Sequence, residues 1–182
     1  MLTAVLAGSQ IAGVAILSPV MGQQSNHMDN PFMARAIQLA LQNVQSGQGG
    51  PFGAVIVKDG KVISEGANQV TSTNDPTAHA EVLAIRAACA NLGAYELQGS
   101  EIYTSCEPCP MCMGAIYWAR LSRIYFAGAA GDASAAGFDD SLIYSEIAQP
   151  HTKRTIPMIQ LMRDEALVPF RAWREKPDKI AY

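Results

Sequence analysis

Two short stretches hold the residues best suited to chemistry: Thr77-Ala78-His79-Ala80-Glu81-Val82 and Glu107-Pro108-Cys109-Pro110-Met111-Cys112. Together they offer one imidazole, two thiols and a carboxylate outside the ligand set. The chain has three histidines (His27, His79, His151) and four cysteines (Cys89, Cys106, Cys109, Cys112), so this pairing uses a large share of its soft metal ligands. Two thiolates and one neutral imidazole suit zinc and leave its site neutral. Three protein ligands keep the fourth tetrahedral position for water, whose pKa the ion lowers from about 15.7 toward about 7. Glu81 then has a task other than ligation, which is to move protons beside that water.

Blander readings exist for the same residues. A C-x-x-C pair also occurs in redox motifs and structural zinc sites. A redox pair has no need of His79-x-Glu81 upstream, and a structural site usually closes with four protein ligands. Cys106-x-x-Cys109-x-x-Cys112 has the spacing of part of an iron–sulfur run, but a fourth nearby cysteine and the trailing Cys-Pro are missing. Cys106 is therefore read as a non-ligand, and Cys89, by helical periodicity, as a small core residue.

The elements around these residues must bring them to one point. The spacing of three between Cys109 and Cys112 puts both sulfurs on one helix face. Pro110 suits the first turn of that helix, and a helix N-terminus lowers thiol pKa. His79 and Glu81 would diverge in mid-helix, so they converge only at a helix start, entered through Asn74-Asp75-Pro76-Thr77 and continued from Ala80 to Asn91. Upstream, Pro31 to Val44 has an amphipathic pattern (Phe32, Ala36, Leu39, Ala40, Val44), capped by Asp29 or Asn30 and stopped at Ser46-Gly47-Gln48-Gly49-Gly50. Ala54–Val57 and Lys61–Ala67 flank Lys58-Asp59-Gly60, a hairpin signal. A strand over Glu101–Ser105, the Cys109 helix through Ala119 and a strand over Arg123–Ala127 follow. A short last strand is expected over Ile156–Leu161 and a last helix from Arg163 to Trp173. This order predicts an α/β fold, a mixed sheet with helices on both faces, and metal ligands on helices that start where strands end. No repeat and no second domain is evident.

Composition agrees. A chain of 182 residues, 49% apolar, suits one packed domain. Cysteines clustered at metal spacing point to a reducing, cytoplasmic setting. The formal charge of −3 is uneven: residues 150–182 hold seven Lys/Arg and four Asp/Glu, the remainder six and twelve. No basic stripe interleaved with aromatics appears, so neither nucleic acid nor membrane is an expected partner. Met1 to Val20 is almost wholly apolar or small and has no charge. It lacks the positive start of a secretory signal, and Gly8-Ser9-Gln10 and Ser18-Pro19 suit a membrane span poorly. An unusual signal or anchor and a dispensable extension both remain open. Residues 1–27 are carried forward as an apolar extension of unknown role, with the folded body starting near Met28.

His79-x-Glu81 followed by Pro108-Cys109-x-x-Cys112 is the signature of zinc-dependent nucleobase deaminases. From about Met28 to Tyr182 the chain resembles the cytidine-deaminase-like superfamily and, within it, bacterial guanine deaminases. The narrower resemblance rests on Gly50-Pro51-Phe52-Gly53-Ala54, Thr71-Ser72-Thr73-Asn74-Asp75-Pro76, Gly114-Ala115-Ile116-Tyr117-Trp118-Ala119-Arg120, Gly137-Phe138-Asp139-Asp140 and the tail from Pro169-Phe170-Arg171-Ala172-Trp173 to Tyr182. It implies a three-layer α/β/α sandwich around a mixed five-stranded sheet. It also implies a homodimer whose C-terminal segments cross to close each other's sites as lids. Carried over by residue, His79, Cys109 and Cys112 bind Zn²⁺ and Glu81 shuttles the proton. Phe52 stacks on a purine, Asn68 bonds its polar edge, the Ala80 N–H helps to bind it, Asp140 is a second carboxylate touching the ring, and Tyr182 arrives from the tail. The residues alone leave other roles open: Phe52 as core, Asn68 as a turn residue, Asp140 as a helix cap beside Asp139, Tyr182 as a chain end. Trp118 reads as core.

The implied reaction is hydrolysis of guanine to xanthine and ammonia, as in purine catabolism. Guanine carries its amine on C2, between the acceptor N3 and the donor N1–H. One carboxylic acid can protonate N3, and a second, ionised carboxylate suits N1–H. Cytosine and adenine present only acceptors beside the reacting carbon, where an extra carboxylate is less useful. Two rival readings share the motifs: a tRNA adenosine deaminase, which would need phosphate-neutralising cations, and a non-catalytic zinc-binding protein, which has no use for Glu81.

Overall fold

The computed structural model describes residues 29–181. The expected extension over residues 1–27 and the site residue Tyr182 lie outside them.

Helix α1 (Pro31–Ser46) begins as its sequence requires. Asn30 Oδ1 accepts from the Phe32 and Met33 amides at 3.0 and 2.9 Å, Pro31 occupies the first turn, and Gly47 ends the helix at φ 69°. Strands β1 (Gly53–Lys58) and β2 (Lys61–Ala67) form a hairpin through Asp59 and Gly60, both at positive φ, the geometry that matches strand twist. The short α2 (Val70–Thr73) leads to α3 (Ala80–Leu92), which stops at Gly93 in the left-handed region. Then come β3 (Ser100–Cys106), α4 (Pro110–Trp118), β4 (Arg123–Gly128), α5 (Ala130–Ala135), α6 (Ser141–Ala148) and α7 (Arg163–Glu175), with a 3₁₀ turn at His151–Lys153.

The strands lie in the order β2-β1-β3-β4, with β1 antiparallel to both neighbours and β3 parallel to β4. Strand β1 is buried on both faces, so its Ala-Val-Ile-Val run shows no alternation of apolar with polar residues. Its alternate residues divide between two cores. Ala54 and Ile56 join Ile102 beneath α3 and α4, against Ala84, Ala88 and Ile116. Val55 and Val57 join Tyr103 beneath α1, against Ala36 and Phe32. The result is the expected α/β/α arrangement. Two glycines let the helices approach this closely. A Cβ at Gly53 would lie 2.3 Å from the Ala36 carbonyl oxygen, and one at Gly66 would lie 2.2 Å from that of Ala80. Gly66 thus sets the height of the α3 first turn, which carries His79 and Glu81.

The sheet corrects one expectation. Among the described residues it has four strands, not five, and Ile156–Leu161 forms none. Pro157 has no N–H to give a ladder, and a short apolar run does not by its periodicity identify a strand. Ile156, Ile159 and Leu161 are each more than three-quarters exposed, and α5, α6 and α7 contain no buried residue. The C-terminal third of the chain is an arm with unburied apolar side chains.

Candidate active site

The starts of α3 and α4, the helices on either side of β3 in the chain, meet at one point. His79 is the N-cap of α3 and Cys109 the N-cap of α4, both with extended backbone and neither using its side chain to cap its own helix. Cys112 sits one turn into α4 and is fully buried. Glu81 lies in the first turn of α3 and is 7% exposed. The positive ends of both helices therefore face the thiols and the carboxylate, which favours their anionic forms.

The separations suit a tetrahedral ion. His79 Nδ1 lies 3.6 Å from Cys109 Sγ and 3.5 Å from Cys112 Sγ. Zn–S and Zn–N bonds of about 2.3 and 2.05 Å at a tetrahedral angle would separate S from N by about 3.6 Å. The three ligand atoms lie within 4.8 Å of one another, the one such group among the described residues. Electrostatics agree. A hydrogen bond from Cys112, joined by one from His79, brings Cys109 down to about 4, so it is a ready thiolate. The same Cys109 sulfur, with burial and Glu81, pushes Cys112 far up. A second thiolate here calls for a cation. Burial raises the Glu81 carboxyl above the usual range, and the Cys109 charge adds to this. Cys106 stays outside the triad, its Sγ 3.7 Å from the Ala129 carbonyl, and Cys89 packs at the edge of the core, as expected of both.

The triad opens into a cavity of about 550 Å³, within the range of small-molecule sites. Phe52, Asn68 and Asp140 line it with His79, Glu81 and Cys109. Phe52 backs onto the core on one side and meets the Phe138 ring edge-on at 4.9 Å on the other. Asn68 is both a turn residue and a wall residue: its Oδ1 accepts from the Gly50 and Val70 amides at 3.3 Å. Asp140 heads α6 without a side-chain cap bond, since Asp139 Oδ1 takes the Ser141 amide at 3.0 Å. Partial burial and the nearby Cys109 charge raise its pKa. The Ala80 side chain is turned into the core, leaving only its first-turn N–H without an intrahelical acceptor.

Some features were not foreseen. Trp118 is 68% exposed rather than core, because α4 is apolar on all sides and buries only Cys112 and Ile116. Phe138, which the sequence shows only within the Gly137–Asp140 motif, lines the cavity beside Phe52. Tyr144 donates from α6 to the Pro108 carbonyl at 3.4 Å, tying the helix that carries Asp140 to the metal loop. Asn43, buried on the α1 face, donates to the carbonyls of Gly50 and Asn68, both at 2.8 Å. An asparagine on an apolar helix face was the available signal.

Comparison with known proteins places this geometry. The cytidine and deoxycytidylate deaminase zinc-binding region matches residues 26–128. The chain is 59% identical to the guanine deaminase of Bacillus subtilis over 151 residues, 83% of this chain and 97% of that protein. The X-ray structure of a Bacillus subtilis guanine deaminase superposes with a TM-score of 0.81 at 59% identity, covering 83% of this chain and 96% of that one. The tRNA-specific adenosine deaminase of Agrobacterium fabrum is 49% identical over 76 residues, 42% of this chain and 50% of that protein.

Proposed function

The chain belongs to the cytidine and deoxycytidylate deaminase zinc-binding family, and we propose that within it this protein hydrolyses guanine to xanthine and ammonia. The observation that carries the reading is Asp140, a half-buried carboxylate free of capping duty, in one cavity with Glu81 and the metal triad. That pair of acids suits a ring with an acceptor on one side of the reacting carbon and a donor on the other. The Bacillus subtilis guanine deaminase matches at 59% identity along 97% of its length, whereas the tRNA-specific adenosine deaminase of Agrobacterium fabrum matches at 49% over half of its own.

His79, Cys109 and Cys112 hold the ion. When bound, zinc supplies the Lewis acidity that makes water a nucleophile near neutral pH. Glu81 accepts a proton from water as the oxygen bonds to C2 and passes it to N3. It then takes the proton of the new C2 hydroxyl and gives it to the amine, which leaves as ammonia as the C2–N bond breaks and C2=O forms. Asp140 accepts from N1–H. Asn68 offers its carboxamide NH₂ to O6, the Ala80 N–H adds a second donor, and Phe52 stacks on the ring. Asp140→Asn should lower kcat/KM for guanine about 10²-fold with zinc content unchanged, because the amide presents a weaker, differently oriented acceptor. Wild-type kcat/KM in that variant would return Asp140 to a structural role.

Residues 28–182 form one deaminase unit whose C-terminal arm is a lid, and the protein is a cytoplasmic homodimer that exchanges these arms. The arm's exposed apolar side chains support this, as does where it ends. The Tyr95 hydroxyl donates to the Ala181 carbonyl at 3.0 Å, beyond the C-terminal end of α3. His79 is at the other end of that helix, about 20 Å away. Within one chain the tail leads away from its own cavity, so a partner's tail, Tyr182 included, closes it and excludes bulk water. Among the described residues no helix is long and apolar enough to cross a membrane. Removing the last residues through Tyr182 should keep zinc and the dimer but cut guanine turnover sharply. Mixing that truncation with a Glu81→Gln chain should restore activity, since one mixed site combines an intact core with an intact tail. No rescue in verified mixed dimers would count against the exchange.

A further inference from the structure

Asn43 does not face the cavity, yet it holds two of the cavity's walls together. It is 6% exposed on the face of α1 that packs on the sheet. Its single NH₂ group bridges the Gly50 and Asn68 carbonyls, on the two chain segments that form this part of the wall. Around this bridge the backbone forms a closed set of bonds. The Asn68 amide donates to the Phe52 carbonyl at 3.1 Å, the Phe52 amide to the Gly50 carbonyl at 2.8 Å, and the Gly50 amide to Asn68 Oδ1 at 3.3 Å. Gly49 completes the fit, since a Cβ there would stand 2.2 Å from the Asn68 carbonyl oxygen and 3.0 Å from Asn43 Nδ2. With Oδ1 of Asn68 occupied by the Gly50 and Val70 amides, its NH₂ is the end without a protein acceptor among the described residues.

We propose that Asn43 is a specificity-determining positioning residue: by clamping Gly50 to Asn68 it fixes the Asn68 carboxamide with its NH₂ toward the cavity, so that the site accepts a purine with a hydrogen-bond acceptor at position 6. This rests on the reading of Asn68 and Phe52 as substrate contacts. A carboxamide that rotates freely reads a 6-oxo and a 6-amino group about equally, whereas a clamped one leaves the 6-amino purine with donor facing donor. A buried polar mismatch of that kind separates substrates more strongly than shape does. The clamp also fixes Phe52 relative to Asn68, so loosening it weakens binding more than it slows the chemistry at C2.

The test compares guanine with 2,6-diaminopurine, which keeps the 2-amino group, replaces O6 by an amine and loses N1–H. The mismatch this adds at Asp140 is common to wild type and variant, so the change in preference reads the clamp. In folded, zinc-loaded Asn43→Ala, KM for guanine should rise about tenfold with kcat within about threefold, and the preference for guanine should fall about tenfold. A merely structural role lowers kcat through a smaller folded fraction and leaves KM and the preference unchanged, and that result would overturn the proposal. Gly49→Ala presses on the same carbonyl and on Asn43 Nδ2 while leaving every α1 residue unchanged. It should give the same signature, which decides the matter if Asn43→Ala does not fold. Asn68→Ala separates the two levels. Unchanged KM there overturns the substrate reading of Asn68 and the clamp with it. A raised KM there, with wild-type KM and preference in Asn43→Ala and Gly49→Ala, overturns the clamp alone.

Discussion

Glu81→Gln is expected to keep the metal and the fold and to lose about 10²–10⁴-fold or more in kcat on guanine, about 3–5 kcal/mol of transition-state stabilisation. Glu81 lies one turn or less from the ligand His79, on a helix start that Gly66 allows close to the sheet, and its carboxyl reaches the same cavity as the triad. A glutamine fills the same space and hydrogen-bonds, but it neither takes a proton from water nor returns one to the ring or the leaving amine. A group used at several steps contributes at each of them. Stability should move the other way. Burial raises the Glu81 carboxyl above its usual range, so above the pKa of the unfolded chain its ionisation works against folding. The neutral variant should melt no lower than wild type. A loss of kcat under tenfold, with zinc verified, would contradict the shuttle role.

The second large effect concerns the thiols. Cys109→Ser/Cys112→Ser should lose most of the zinc and all measurable turnover. A serine hydroxyl is not deprotonated at neutral pH and is a harder, weaker ligand for this ion. The two sulfurs are not equivalent in the protein: Cys109 is already inclined to the thiolate, while Cys112 is buried beside it and beside Glu81. Cys112 therefore ionises with the metal rather than before it, and proton release should accompany zinc binding. Metal analysis of the purified double variant gives the answer directly. Near-stoichiometric zinc in it would refute the ligand set.

What the sequence made legible was whatever a local rule governs. Asn30-Pro31 marks a helix start because the cap oxygen and the missing N–H act within one turn. Asp59-Gly60 marks a hairpin because both positions need positive φ. His79 and Glu81 two apart could converge only at a helix start, and the structure puts His79 at the N-cap. What stayed hidden depends on distant surfaces. Ile156–Leu161 has the composition of a strand, but whether such a run pairs depends on an available edge, and Pro157 lies within it. Trp118 reads as core until α4 is seen to bury only two of its residues. Neighbouring Asp139 and Asp140 look interchangeable, and only the Ser141 amide shows which of them caps α6. Asn43 breaks an apolar helix face without saying which carbonyls it reaches.

The central claim is that this metal site removes the 2-amino group of guanine. The most direct measurement incubates purified, zinc-loaded protein separately with guanine, adenine, cytosine and a tRNA, and follows ammonia together with the base produced. Guanine should release one ammonia per xanthine formed, with kcat/KM at least about 10²-fold above that for adenine and cytosine, and the tRNA should remain unmodified. Ammonia from the tRNA with none from guanine, or no ammonia from any of the four, would contradict the account.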